Sequence, residues 1–123
     1  MVQFIKSPSI IKAAGNKNKI IREFFGQVNS NTSEVSIAHM KSPEGWVEPG
    51  QCPEFNEYTV VLKGKLMITT KKEEIIISKG QGIMTAKGEW VKYSTPFTGG
   101  AEYIAVCLPA FSPDIVKRDN DIL

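Results

Sequence analysis

Residues 45–64 read GWVEPGQCPEFNEYTVVLKG, and residues 80–95 read GQGIMTAKGEWVKYST. In the first stretch Gly45 opens the run and Gly64 closes it; in the second, Gly80 and Gly82 mark one turn, Gly88 marks the next, and a strand runs to Thr95. Between the glycines the chain is rich in Val, Ile, Thr and Tyr, side chains that fit a pleated, half-buried surface. Neither stretch has a helical period. If Glu57 faces inward, alternation puts Pro53, Phe55, Thr59 and Val61 on the same side and Tyr58 on the other.

The same grammar extends outward. Residues 20–28 (IIREFFGQV) favour a strand, since Gly26 argues against a long helix. Residues 34–40 alternate, with Val35, Ile37 and His39 assigned to the inner face. Ser42-Pro43-Glu44-Gly45 is a turn. Residues 57–63 lead through Lys63-Gly64-Lys65 into 66–70, which reads as a hairpin. Further strands are expected at 74–78, 83–86, 90–94 and 103–108. Short strands with a turn every 8–12 residues indicate a sandwich or barrel, whose closure removes exposed edges. The tail from Pro109 to Leu123 reads as an irregular arm or a short turn of helix.

Composition narrows the classes. The 123 residues include 15 Lys and Arg against 13 Asp and Glu, and 41% are hydrophobic, so an ordinary core is within reach without staples. A formal charge of +2 gives no reason to expect a nucleic-acid or membrane partner. Cys52 and Cys107 form no zinc or redox spacing. The first dozen residues lack the apolar core of a signal peptide and no run is long enough to span a bilayer, so a cytoplasmic protein is expected. We expect one domain over 1–123, with the barrel at about 18–110.

The glycine spacing resembles that of the cupin family. Its first motif, Gly, five residues, His, one, His, three or four, Glu, six, Gly, is met at Gly45, Gln51, Pro53, Glu57 and Gly64. Its second, Gly, five, Pro, one, Gly, two, His, three, Asn, is met at Gly80, Ala86, Gly88, Val91 and Thr95. Residues 56–64 are also similar to the corresponding hairpin of EutQ-like ethanolamine-utilisation cupins, which lack most of the histidines. The resemblance implies an all-β, cupin-type double-stranded β-helix, a jelly-roll barrel with an RmlC-like fold, and a homodimer. Phe4, Ile5, Ile10, Ile11 and the edge of the last strand offer surface for the dimer.

In metal-binding cupins two motif-one histidines, the glutamate and a motif-two histidine hold one metal. Here those positions are Gln51, Pro53, Glu57 and Val91, and no cofactor is expected. The fallback set for a divalent metal is Glu57, Gln51 and His39. The pocket is expected to take a small organic molecule. Glu57, its pKa lifted by burial, is the candidate acid or base, with His39 as its partner. Gln51, Phe55, Glu54, Trp46 and Tyr93 are candidate ligand contacts; Glu48 sits with Glu54 in the loop before the motif strand, where most acids are solvated. An isomerase, epimerase or lyase fits these groups. A non-catalytic binding or sensing protein is the alternative, and a metal-dependent oxygenase or isomerase with an atypical ligand set is the second.

Overall fold

The computed structural model describes residues 1–119. Nine strands follow in order: β1 (Ser9–Ile11), β2 (Ile20–Phe25), β3 (Ser36–Ser42), β4 (Trp46–Val47), β5 (Asn56–Thr69), β6 (Glu74–Ser78), β7 (Gly82–Thr85), β8 (Lys92–Thr95) and β9 (Ala101–Leu108), then a single helical turn, α1 (Pro113–Val116). The strands curl into two antiparallel sheets. One runs β1-β2-β3-β9-β5-β7 and the other holds β4, β8, β5 and β6.

The two sheets share β5, and here the expected hairpin at Lys63-Gly64-Lys65 gives way to one continuous 14-residue strand. A bulge between Val61 and Lys63 bends it, so that its first half pairs with β9 and β7 and its second half with β6 and β8. Gly64 sits in the bend at φ +76°, where a Cβ would stand 2.1 Å from the Gly100 carbonyl oxygen. A glycine with positive φ serves a bulge as well as a turn, so sequence alone did not separate the two.

Register places one row of side chains after another across the larger sheet. Thr85, Glu57, Cys107 and Ser36 form one inward row. Ile83, Thr59, Ala105, Ala38 and Glu23 form the next. Ile11, Ile21, Met40, Tyr103 and Val61 form a third. The core proper lies toward the smaller sheet, where Trp46, Leu66, Ile68, Ile77 and Val91 are buried. Phe55, Cys107 and Val116 make a second cluster under α1. Ser112 caps that turn by accepting the Asp114 N–H at 3.2 Å. The tail is thus an arm with a short helical turn as far as Asp119; residues 120–123 of the expected arm lie outside the described residues.

Candidate functional site

The inward rows enclose a cavity of about 60 Å³ in the cup of the barrel. Glu57, Phe55, Gln51 and Tyr93 line it. Glu57 is 8% exposed and accepts a hydrogen bond from the Tyr93 hydroxyl at 2.8 Å. Tyr93 in turn shares a 3.1 Å contact with the Thr85 hydroxyl. Gln51 is buried, held by reciprocal backbone hydrogen bonds with Val91 at 2.8 and 2.9 Å.

Three groups join Glu57 that sequence reasoning left out or ranked low. Lys19, at the start of the run into β2, lines the cup and lays its amine over the Trp46 ring at 4.1 Å and the Tyr103 ring at 5.2 Å. Glu48, in the loop after β4, turns inward and is 9% exposed. Arg118, beyond α1, closes the cup, and its Nε is buried without a hydrogen-bond partner among the described residues.

Their electrostatics follow from enclosure. Glu48 is raised to about 7: burial lifts it most, Lys19 draws it down, Glu57 pushes it up and Arg118 draws it down. Burial also raises Glu57, against the opposing pulls of the Tyr93 hydrogen bond, Lys19 and the Cys107 thiol. Burial alone would lower the Lys19 amine, yet Tyr103, Glu48 and Glu57 together hold it above its ordinary value. Tyr93 and Cys107 are both pushed up, first by burial and then by the Glu57 charge. Glu57 is therefore one of two carboxyls around a fixed cation. At neutral pH, Glu48 readily gains or loses a proton.

Three expected site residues lie elsewhere. His39 faces outward, because Ser36, Ala38 and Met40 take the inner positions of β3. Its ring nitrogens approach Arg22 at 3.5 Å and Glu102 at 3.8 Å on the outer surface. Glu54 also points away from the cup and pairs with Lys117 at 3.7 Å. Trp46 is fully buried packing, its Nε1–H donated to the Ala14 carbonyl at 3.0 Å. With His39 outside, the set Glu57, Gln51 and His39 does not converge. The described residues hold no group of three or more His, Cys, Asp or Glu able to bind a metal, so the residues present do not fit the metal of the histidine-bearing cupins.

A second concavity lies on the outer side of Lys19. Residues 12–19 form a loop fixed to β4: Asn16 N–H donates to the Val47 carbonyl at 3.1 Å, Asn16 Oδ1 accepts the Val47 N–H at 2.8 Å, and Asn16 Nδ2 donates to the Gly45 carbonyl at 3.2 Å. The loop surrounds a hollow of about 320 Å³ lined by Lys12, Lys17, Lys19, two asparagines and small residues, with no carboxylate.

No protein-family model matches the chain. Among solved structures, the fold is similar to an ethanolamine-utilisation protein Q of Salmonella typhimurium, at TM-score 0.66 and 17% identity over 85% of this chain and 97% of that one. An RmlC-like cupin of Shewanella frigidimarina gives TM-score 0.71 at 12% identity, covering 92% and 94%. Oxalate decarboxylase of Bacillus subtilis gives 0.76 at 15%, covering 96% of this chain and 31% of that one. These likenesses establish the cupin β-barrel fold anticipated from the glycines. By sequence, the chain is 39% identical over 102 residues to a Myxococcus xanthus protein named Endoribonuclease YbeY; the match covers 83% of this chain and 35% of that protein. That relative overturns the expected function: a small-molecule cupin working by acid–base chemistry at Glu57, its non-catalytic ligand-binding alternative and its metal-dependent alternative are all set aside. Among the described residues, no helix is long and apolar enough to cross a membrane.

Proposed function

We propose that this cupin-fold chain serves RNA processing as a module that grips the RNA backbone and does not itself cut it. The observation that carries the reading is the sequence match to about a third of a protein named as an endoribonuclease. Net charge gave no hint of a nucleic-acid partner, but net charge averages over a surface. The 12–19 hollow is locally cationic and held in shape by its bonds to β4, which suits phosphate oxygens. The cup is a poor place for strand cleavage: its free space is narrow, about 60 Å³, and is walled by packed side chains such as Phe55, Tyr93 and Tyr103. Lys19, Glu48 and Glu57 also neutralise one another there, whereas Lys12 and Lys17 stand exposed on the loop.

The test is fluorescence anisotropy with a short, end-labelled single-stranded RNA, followed by a denaturing gel of the same mixtures. We expect saturable binding at about 50 mM salt, with log K falling linearly in log salt. A Lys12→Glu, Lys17→Glu double variant should bind at least ten-fold more weakly, and its salt slope should flatten by about 0.7 per lost phosphate contact. The RNA should stay intact. Absence of binding at low salt, or equal binding by the double variant, overturns the reading. Strand breaks that disappear in Glu48→Gln would move cleavage into the cup and overturn the non-cutting role.

A further inference from the structure

Lys19 belongs to two cavities at once: it lines the cup, and it closes the 12–19 hollow. Its N–H donates to the Lys17 carbonyl at 3.0 Å, which turns the loop from Lys17 straight into the barrel. Its amine lies 4.1 Å from the Trp46 ring centre. The loop of the hollow is bound to that same indole, whose Nε1–H is donated to the Ala14 carbonyl at 3.0 Å. Gly15, at φ +116°, packs so close to Nε1 that a Cβ there would overlap it. Cup and hollow therefore meet at one lysine and one buried ring, and little water lies between them to screen a charge.

The charge on the cup side is variable. Facing Lys19 and Glu48 there are Glu57 from β5, Tyr93 from β8, Tyr103 and Cys107 from β9, Glu23 from β2 and Arg118 from beyond α1. Lys19 is held above its ordinary value and an arginine keeps its charge, so both cations are fixed. Burial pushes Tyr93 and Cys107 up, which keeps them protonated. The Tyr103 hydroxyl is engaged by Ser42 at 2.8 Å, and Glu23 by the Val28 and Asn29 N–H groups. Glu48, at about 7, changes charge near neutrality, and Glu57 is raised in the same direction. The hollow has Lys12 and Lys17 as its other charged groups and lacks a carboxylate, so nothing on that side offsets the change.

We propose that the cup regulates the 12–19 hollow: when Glu48 takes up a proton, the Lys19 charge is left uncompensated and the hollow holds phosphate oxygens more tightly. This rests on the RNA reading above and adds pH control to it. The proton passes from solvent to a Glu48 carboxylate oxygen, and no bond of the RNA is made or broken. Coupling between two sites is reciprocal, so bound RNA must in turn draw a proton onto the cup.

The experiment repeats the RNA anisotropy titration at pH 6 and pH 8 at one salt concentration, with circular dichroism as the folding control. Wild type should bind about three-fold more tightly at pH 6, from a full coupling of about five-fold. Glu48→Gln should bind at pH 8 as wild type does at pH 6 and lose the pH response. His39→Gln, at the chain's single histidine on the outer surface, should keep it. Calorimetry of the wild type in two buffers of different ionisation enthalpy needs no variant, and should show uptake of about 0.4 proton per RNA near pH 7.4. Equal affinity at both pH values, or binding without proton uptake, overturns the regulation and leaves the RNA reading standing. A response that survives Glu48→Gln, or is lost in His39→Gln, places the titration outside the cup and overturns it as well. Absence of RNA binding at either pH overturns both.

Discussion

The two faces of the β3-β9-β5 sheet invert the usual arrangement. Inward rows carry Glu57, Ser36, Thr59 and Glu23, while outward rows carry Met84, Tyr58, Val60 and Ile104. The same strands supply both sets, one residue apart. Polar groups inside a barrel cost stability unless each finds a partner, and most here have one. Glu23 accepts the Val28 and Asn29 N–H groups at 3.0 and 2.8 Å, and Ser36 accepts the Phe111 N–H at 2.9 Å. The Lys19, Glu48 and Glu57 set is instead balanced by charge across the cavity, with Arg118 also acting on Glu48. The outer face carries no such compensation and exposes apolar surface instead. The inner face is therefore mostly paired, with the Thr59 hydroxyl left without a partner among the described residues, while the outer face leaves its apolar side chains exposed.

The strongest way to break this contrast is to unbalance the inner charges. Lys19→Met removes the cation that both enclosed carboxyls feel and leaves Arg118 to Glu48 alone, and we expect a loss of about 3 kcal/mol at pH 8, since an uncompensated buried charge is costly. The loss should shrink at pH 5, where the carboxyls take up protons. Adding Glu48→Gln to Lys19→Met should restore part of it at pH 8. Chemical denaturation at the two pH values reads all of this, and an equal loss at both would deny the pairing.

The next effect belongs to Glu48 alone. Its pKa in the folded chain is about 7 against an ordinary value of 4.5, so the folded state holds its proton more tightly than the unfolded state. Its contribution is full below about 4.5, declines as pH rises through that window, and is gone above about 7. The decline should amount to about 3 kcal/mol, and Glu57, raised in the same direction, adds to it. Glu48→Gln should flatten stability between pH 4.5 and 7, and an unchanged slope would place the titration elsewhere. Smaller still is Tyr93→Phe, which removes the 2.8 Å donor to Glu57 and should cost about 1–2 kcal/mol. Its cost should grow with pH as Glu57 ionises.

How much of this was legible in the sequence depended on what kind of signal each residue left. Glycines at fixed spacing set strand length, so the barrel and the inward run Pro53, Phe55, Glu57, Thr59 and Val61 could be read directly. Alternation on β3 showed two faces but not which was inner. Val35, Ile37 and His39 looked the better core, yet Ser36 and Ala38 are the buried pair because the space under β3 is shared with Glu23 and Phe111. Lys19 and Arg118 left no local signal. One sits at a loop exit and the other beyond the last helical turn, and only closure of the barrel brings them to Glu57 and Glu48. Function was least legible, since a fold hosts many activities and the glycines report only the fold.

The outer face supplies the smallest prediction and the sharpest control. Ile76 on β6 is half exposed, but it lies on the smaller sheet, away from the outward row of Tyr58, Val60 and Met84. If exposed apolar residues merely sat in water, Ile76→Thr and Val60→Thr would behave alike, each within about 0.5 kcal/mol of wild type. If the larger sheet pairs with a second copy, only Ile76→Thr should be that mild at every protein concentration. Val60→Thr should lose stability that returns toward wild type as the protein is diluted, because dilution removes the partner from both. Thermal melts of the two variants across a hundred-fold concentration range separate these cases. Parallel behaviour would mean that the apolar outer face of the larger sheet is surface and not interface.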